Sequence, residues 1–360
     1  MSVRVSYKKQ SLLGIFLLLI LLVAIESGAR IYDYFNPYCG LKEDTEVYGQ
    51  LDYWEKYEIC ESWLSLVWGF DLDSDVYMPE PNQHLKTVNI NSAGFRGPEI
   101  EQTKPQDSFR IFMVGGSTTA SLRATSDETT IPGYLQNLFD NDGMKKIEVI
   151  NAGVPGIMSS QELLLVQHKI LDYNPDLIIV YDGTNDVNLP YGFKPGKESL
   201  RNIFSDGLNR YLPFWETPPV IYHILSSSDE EKFEFDDTDI IQKVSLWKNN
   251  IDNICNIGNE KGFETLIILQ PILGSGNKEL SSYEIEQFEN FDHSKVVPAY
   301  QKFADELDSL KNNCSRIEDF RDIFDNVEET VFFDNAHVGM KSNNMIAEKI
   351  HEVLLQMLKN

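Results

Sequence analysis

Residues 109–119 read FRIFMVGGSTT, and their pattern is the clearest indication of the fold class. A run of β-branched and aromatic residues that stops abruptly at two glycines is typical of a buried strand that enters a tight turn. The turn presents Ser117, and a serine in that position can be a nucleophile whose backbone N–H holds an oxyanion. Gly-Gly-Ser-Thr also describes an ordinary loop or a helix N-cap, so the rest of the chain has to decide between the two.

Three later stretches carry polar or glycine residues in comparable places. Apolar residues 147–152 and 177–181 lead into Gly153 and Asn185, and residues 333–339 read FDNAHVG. A strand-end serine, then glycine, then asparagine, then an Asp-x-x-His pair, in that order, resembles the SGNH (GDSL-type) hydrolase family. Further features described below resemble the membrane-anchored, extracytoplasmic members of that family.

The resemblance covers about residues 109–358 and implies a catalytic triad. Ser117 would be the nucleophile, and His337 would take its proton and later deliver it to the leaving group. Asp334 would hold the imidazole tautomer and stabilise the imidazolium. The three-residue gap between Asp334 and His337 lets both side chains come from one short loop. His337 is the one histidine of the six with a nearby acid in a matching motif, whereas His293 is expected in an unremarkable polar loop.

The resemblance also implies an oxyanion hole made by the backbone N–H groups of Ser117 and Gly153 and by the side-chain amide of Asn185. Gly153 suits this role because no Cβ would block the approach of the substrate oxygen. Asn185 offers an uncharged donor. Structural alternatives stay open for both: Gly153 as a turn residue and Asn185 as an Asx-turn or N-cap residue.

From residue 109 onward, strand and helix patterns alternate, which predicts an α/β domain with a parallel sheet covered on both faces. The family resemblance specifies a three-layer α/β/α sandwich with a five-stranded, flavodoxin-like sheet, preceded by an N-terminal hydrophobic helix and a capping extension. The predicted strands are 109–114, 147–152, 177–181, 265–269 and 317–320. The predicted helices are 130–141, 160–173, 240–260, 296–312 and 340–358. In such sheets the site forms beyond the carboxyl ends of the strands.

The expected organisation is an anchor or signal peptide at 1–30, an extension at 31–107 and the hydrolase domain at 108–360. Two insertions depart from a minimal domain. The one at about 188–239 contains prolines and aromatics expected to line or cover the cleft, and ends in an acidic run expected to be a solvated loop. The one at about 274–293 is expected to form a second wall.

The extension contains residues 91–97, NSAGFRG, which resemble a segment often found ahead of the nucleophile in membrane-anchored SGNH-like proteins. Its glycines indicate turns, and Phe95 is expected to be a packed aromatic. Arg96 has two interpretations, a substrate contact and a structural ion pair, and the structural one is favoured.

Arg4, Lys8 and Lys9 precede an uncharged stretch at 10–25 that is dominated by leucine and isoleucine. This order is typical of a signal peptide or of a single-pass membrane anchor, and it places the bulk of the chain outside the cytoplasm. The stretch is shorter than the roughly 20 residues that a span needs, which favours a signal peptide cleaved at the small residues 27–29. The resemblance favours a retained anchor, because the anchored relatives often carry one.

The chain has a formal net charge of −25. Such a surface repels nucleic acid, which is therefore excluded as a partner. The sequence has no Cys-x-x-Cys, no histidine pair at i, i+4 and no P-loop lysine, so neither a metal nor a cofactor is predicted. The four cysteines can form two disulfides in an oxidising compartment; three connectivities are open, and their placement favours Cys39–Cys60 with Cys255–Cys314.

The resemblance implies an extracytoplasmic serine esterase that acts on an ester of a carbohydrate, lipid or small molecule through an acyl-Ser117 intermediate. Two alternatives remain. One is an O-acyltransferase that modifies a cell-surface polysaccharide, with an acylated glycan as partner. The other is a non-catalytic surface binding protein, which the presence of all three triad residues disfavours.

Overall fold

The computed structural model describes residues 6–35, 45–48, 51–144, 146–190, 235 and 238–359. These residues belong to two compact units. One contains the N-terminal helix at 6–35, and the other contains the remaining described residues. The insertion predicted to cover the cleft lies almost entirely outside the described residues, as does Cys39 of the predicted Cys39–Cys60 bridge.

The helices of the described residues are α1 (Tyr7–Phe35), α2 (Thr45–Tyr48), α3 (Tyr53–Leu64), α4 (Ser117–Ala120), α5 (Ile131–Asn141), α6 (Ser159–His168), α7 (Thr184–Asn188), α8 (Ile240–Lys261), α9 (Ser282–Asn290), α10 (His293–Leu310) and α11 (Met340–Met357). The strands are β1 (Trp68–Phe70), β2 (Tyr77–Pro79), β3 (Gln83–His84), β4 (Asn89–Ile90), β5 (Phe109–Gly115), β6 (Ile147–Gly153), β7 (Leu177–Asp182), β8 (Glu264–Leu269) and β9 (Arg316–Asp319). Short 3₁₀ turns lie at Asp127–Thr129 and Ile170–Tyr173.

The central sheet has five parallel strands in the order β6-β5-β7-β8-β9. This is the flavodoxin-like order, in which the chain leaves the first strand toward one edge and then crosses back to build the other side. The prediction of a five-stranded parallel α/β fold is confirmed, and each predicted strand is present with its ends displaced by no more than one residue. The switch point lies between β5 and β7.

Two hydrophobic cores cover the two faces of the sheet, because side chains alternate along each strand. Phe112 and Val114 of β5 pack on one face with helices α6, α8 and α10, whereas Ile111 and Met113 pack on the other with α5 and α11. The strands are buried on both faces, which explains their nearly continuous apolar sequences. A disulfide between Cys255 and Cys314 joins α8 to the segment before β9, so this predicted bridge is present.

The extension before β5 attaches to the edge of the sheet. Strands β3 and β4 pair antiparallel, and residues Ile90, Arg96 and Asn151 form successive antiparallel bridges that continue onto β6. Phe95 is buried and packs against Phe112 of β5, as expected for this segment. The end of edge strand β6 is therefore paired rather than exposed, which removes a site for non-specific strand addition.

Helix α1 extends beyond both ends of the uncharged stretch at 10–25. Residues Tyr7–Tyr32 are a 26-residue candidate span, and their most apolar 18 residues have a mean hydropathy of 2.5. The span is long and apolar enough to cross a membrane, although a signal sequence has the same properties. The helix continues past the uncharged stretch, and within it Glu26 pairs with Arg30 at 2.9 Å. The expectation that the stretch is too short for a span was wrong, because the helix that contains it is long enough.

Candidate active site

The candidate residues lie at the carboxyl edge of the sheet, where ligand sites of open α/β sheets form. Strand β5 ends at Gly115, and Ser117 is the first residue of the short helix α4. Strand β7 ends just before Asn185, which is in helix α7. Strand register places Gly115 beside both Gly153 and Tyr181, so three strand ends meet around the serine.

Ser117, His337 and Asp334 form a continuous hydrogen-bonded chain. Nε2 of His337 lies 2.7 Å from Oγ of Ser117. On the other side of the ring, Nδ1 of His337 lies 2.8 Å from Oδ2 and 2.9 Å from Oδ1 of Asp334. These distances allow the serine proton to pass to the imidazole while the carboxylate keeps the proton on Nδ1.

The loop before α11 determines the pKa of Asp334. Burial of Asp334 acts to raise its pKa, but the charge of His337, the hydrogen bond from its ring and backbone N–H donors outweigh burial and lower the pKa well below the ordinary value. Those backbone donors are the N–H groups of Ala336 at 3.0 Å and His337 at 2.9 Å. Asp334 therefore stays ionised and can stabilise an imidazolium.

Asn185 lies directly against the nucleophile turn. A β-carbon at residue 116 would collide with Nδ2 of Asn185, so Gly116 leaves the space that the amide occupies. Nδ2 donates one N–H to the carbonyl of Ile157 at 2.6 Å, which fixes the plane of the amide. An amide nitrogen carries two N–H groups, so Asn185 can also donate to a substrate oxygen.

Gly153 occupies its predicted place at the end of β6, where glycine also has a packing role. A β-carbon there would collide with the backbone of Thr119 and Ala120 in α4, so glycine is required for close packing of the strand end on this helix. Its N–H donates to Oδ1 of Asn151 at 3.0 Å. An oxyanion would have to share this N–H with Asn151.

A small cleft of about 250 Å³, measured with its open mouth, runs beside the serine. Besides Ser117 and His337, its walls include the apolar side chains of Leu122, Ile131 and Val338. Thr118 is buried next to the serine, and its hydroxyl donates to Oε1 of Gln270 at 3.1 Å. The cleft therefore combines a reactive hydroxyl with an apolar wall, the usual composition of a small-molecule site.

The second predicted insertion packs on the loop that carries the acid and the imidazole. The hydroxyl of Tyr283 in α9 donates to the carbonyl of Phe333 at 2.7 Å. Just before the insertion, the N–H of Leu273 donates to the carbonyl of Asn335 at 3.0 Å. The last residue of the insertion, His293, is fully buried as the first residue of α10, so the expectation of a polar loop was wrong. The flanking polar residues obscured an apolar contact with Phe288.

Three buried carboxyl groups lie behind Asn185. Burial raises the pKa of Glu162 and of Asp182 well above the ordinary value, and the charges of neighbouring carboxyls add to it. Burial also raises the pKa of Asp186, although its hydrogen bonds to the backbone and hydroxyl of Ser159 act in the opposite direction. Asp186 thus joins α7 to the start of α6, close to the Ile157 carbonyl that holds Asn185.

Sequence reasoning did not identify Asn151 or the part that Arg96 plays. Asn151 is two residues before Gly153, and an asparagine that caps a nearby N–H is a recognisable local pattern. Arg96 forms a buried ion pair with Asp127, as the favoured interpretation held. The same guanidinium also contacts the backbone just after the nucleophile, which nothing in the sequence around Arg96 indicates.

No known family model and no curated protein matches the chain. It is similar to solved structures of an acetyl xylan esterase, AlAXEase (16% identity, TM-score 0.40, covering 68% of this chain and 99% of that chain), and of a putative lipolytic protein of the G-D-S-L family from Desulfitobacterium hafniense DCB-2 (11%, 0.41, 68% and 99%). It is also similar to TesA (14%, 0.36, 68% and 97%). What this chain can do follows from the geometry of its own site.

Proposed function

We propose that this protein is a serine esterase of the SGNH type that hydrolyses an ester through an acyl-Ser117 intermediate. The observation that carries the proposal is the continuous chain of hydrogen bonds from Oγ of Ser117 through the ring of His337 to Asp334. A serine hydroxyl is a weak nucleophile at its own pKa, and an adjacent imidazole oriented by a carboxylate is a recurrent way to activate it.

In the first half of the reaction, Oγ of Ser117 attacks the ester carbonyl carbon as its proton passes to Nε2 of His337. The tetrahedral oxyanion is held by the free N–H of the Asn185 amide and by the backbone N–H of Ser117, with Gly153 as a third donor once Asn151 shares its N–H. Collapse of the intermediate breaks the bond to the alkoxide, which leaves as the alcohol with the proton from His337.

In the second half, a water molecule gives one proton to Nε2 of His337 and its oxygen attacks the acyl carbon. The oxyanion forms again in the same place, and its collapse returns the serine, which takes the proton back from His337. The carboxylic acid leaves. Asp334 stays ionised throughout because its pKa is lowered in the folded protein. The carboxylate therefore stabilises the imidazolium in both halves of the reaction.

The proposal includes a single-pass anchor formed by α1, with the esterase outside the cytoplasm. Supporting features are the length and apolarity of α1 and the basic residues ahead of it. Basic residues before a span are enriched on the cytoplasmic side. An ester on a carbohydrate or lipid at the cell surface is the substrate class that such a placement offers.

The test uses the full chain in detergent, with p-nitrophenyl acetate as substrate and a fluorophosphonate as serine probe. Ser117→Ala is expected to lower kcat by about 10⁴-fold or more and to abolish labelling, because residual triad-independent catalysis is small. Ser309→Ala is the control, since this exposed hydroxyl of α10 bonds only within its own helix. Full turnover or labelling in Ser117→Ala rejects the nucleophile, and added sugar acceptors that capture the acyl group would identify a transferase.

A further inference from the structure

Arg96 is a buried arginine that contacts the nucleophile turn from the extension. Its side chain is 1% exposed, so substrate does not reach it. Nη1 donates to the carbonyl of Ala120 at 2.6 Å and to that of Ser121 at 2.9 Å. Nη2 donates to the carbonyl of Thr87 at 2.8 Å, and Nε pairs with Asp127 at 2.8 Å. All three guanidinium nitrogens are thus used.

The backbone that Arg96 holds is the end of helix α4, which begins with Ser117. Ser121 ends this helix with φ of +55°. That conformation is uncommon for residues other than glycine and persists only where the surrounding structure holds it. The last carbonyls of a helix lack partners within it, and two of them accept from the Arg96 guanidinium. A side chain 21 residues before the nucleophile thus binds the end of the helix that begins with the nucleophile.

The main chain of Arg96 contacts a second loop of the site. Its N–H donates to the carbonyl of Asn151 at 3.2 Å, and Asn151 in turn accepts the N–H of Gly153. One residue of the extension therefore holds both the nucleophile turn, through its side chain, and the end of β6, through its backbone. The planar fork of a guanidinium suits this task, because its donors stand in fixed directions.

We propose that Arg96 is a positioning residue for catalysis: it holds the left-handed end of helix α4 so that Oγ of Ser117 stays aligned with His337 and with the oxyanion donors. This inference rests on the proposed serine-esterase function. It assigns the extension a part in catalysis, since Arg96 precedes the strand that carries the nucleophile. A displacement of about 1 Å at reacting groups costs up to roughly 10²-fold in rate. Loss of the hydrogen bonds from Arg96 to the end of helix α4 is therefore expected to have a measurable effect on rate.

A second buried arginine provides a matched control. Arg110 is also fully buried, pairs with Glu148 at 2.7 Å and donates to the carbonyl of Tyr173 at 2.8 Å. It lies near the amino end of β5, at the opposite end of the strand from Ser117. Arg110→Lys and Arg96→Lys therefore remove the same kind of fork from two buried, ion-paired arginines, only one of which contacts the nucleophile turn.

The experiment compares both variants with the wild type as full chains in detergent. Measurements are the melting temperature, kcat and KM for p-nitrophenyl acetate, the fluorophosphonate labelling rate, and the number of active sites by titration. Both variants are expected to melt at lower temperature. Arg96→Lys is expected to lower kcat and the labelling rate per active site about 10- to 100-fold with KM within about twofold, whereas Arg110→Lys keeps kcat within about twofold.

Equal kcat values per active site in the two variants would overturn the inference, as would a loss in Arg96→Lys that disappears once unfolded molecules are discounted. If Arg96→Lys does not fold, Asp127→Ala replaces it, because this change removes the acceptor of Nε and lets the guanidinium shift. An unchanged kcat per active site in Asp127→Ala would then overturn the inference. An inactive wild type would reject the esterase proposal itself, so the two failures are distinguishable.

Discussion

The two ends of strand β5 carry polar groups with different tasks. Near the amino end, the N–H of Arg110 donates to Asp176 at 2.7 Å, and Asp176 also pairs with Lys104. Those groups pair with one another and tie neighbouring strands together. Just past the carboxyl end, the hydroxyl of Ser117 and the amide of Asn185 keep donor or acceptor capacity that a substrate can use.

The comparison teaches that burial and hydrogen bonding do not by themselves identify a site. Both ends of the strand are buried and rich in hydrogen bonds, but only the carboxyl end has the strand crossover that opens a crevice. Changes at the amino end should therefore alter the free energy of unfolding and leave the chemistry intact. Changes at the carboxyl end should alter the chemistry first.

Among substitutions that compare the two ends of β5, the largest effect on kcat is expected at Asn185. Asn185→Ala should lower kcat about 10²- to 10³-fold with a small change in KM, because the donor acts mainly on the oxyanion of the transition state. Steady-state kinetics with p-nitrophenyl acetate measures it. Asn188→Ala is the matched control, since that amide donates to Thr184 within the same helix. Equal kcat in both variants would contradict an oxyanion role.

An effect of intermediate size is expected at the other end of the strand. Arg110→Met should lower the free energy of unfolding by about 2–3 kcal/mol, because Glu148 loses its partner while the methionine keeps part of the packing. Urea unfolding of the full chain in detergent measures the loss. The value of kcat per active site should not change, and a tenfold fall would show that the two ends are not separate in function.

The smallest effect concerns the pH dependence of stability. Burial raises the pKa of Glu162 in the folded state, and the charges of Asp182 and Asp186 raise it further. Above about pH 4.5, the folded protein therefore binds more protons than the unfolded chain. Stability therefore falls as pH rises through this window. Glu162→Gln, which keeps a neutral side chain, should make the fall less steep.

Chemical unfolding at several pH values tests this prediction. Glu264→Gln is the control because that side chain is exposed at the start of β8. The Glu264 variant should follow the wild type at every pH. An identical slope in Glu162→Gln and the wild type would show that Glu162 does not carry the pH dependence.

Much of the fold was predictable from local sequence. Runs such as 109–114 and 177–181 are apolar on both alternating faces, so they specify strands buried between two helical layers. The site residues that stand at strand ends were predictable for the same reason, because parallel strands bring their carboxyl ends to one edge. The contacts of Ser117 with His337 follow from no local pattern, since 220 residues separate them.

Local sequence failed where a contact partner is distant. The residues near Gly153 do not indicate that α4 packs so closely there that a β-carbon would not fit. The residues near His293 do not indicate that this side chain is buried. In each of these places, the free energy of a residue depends on a neighbour that the pattern of apolar residues does not specify.

By itself, the sequence determined the alternation of strands and helices, the apolar N-terminal helix and the identity of the residues at each strand end, because these follow from the spacing of apolar and turn residues. The three-dimensional packing alone establishes that an arginine of the extension holds the nucleophile turn, and that helix α4 packs closely against Gly153. Those contacts are made with the backbone of residues far away in the chain, and any residue can supply a backbone group. Geometry, rather than residue type, therefore selects them.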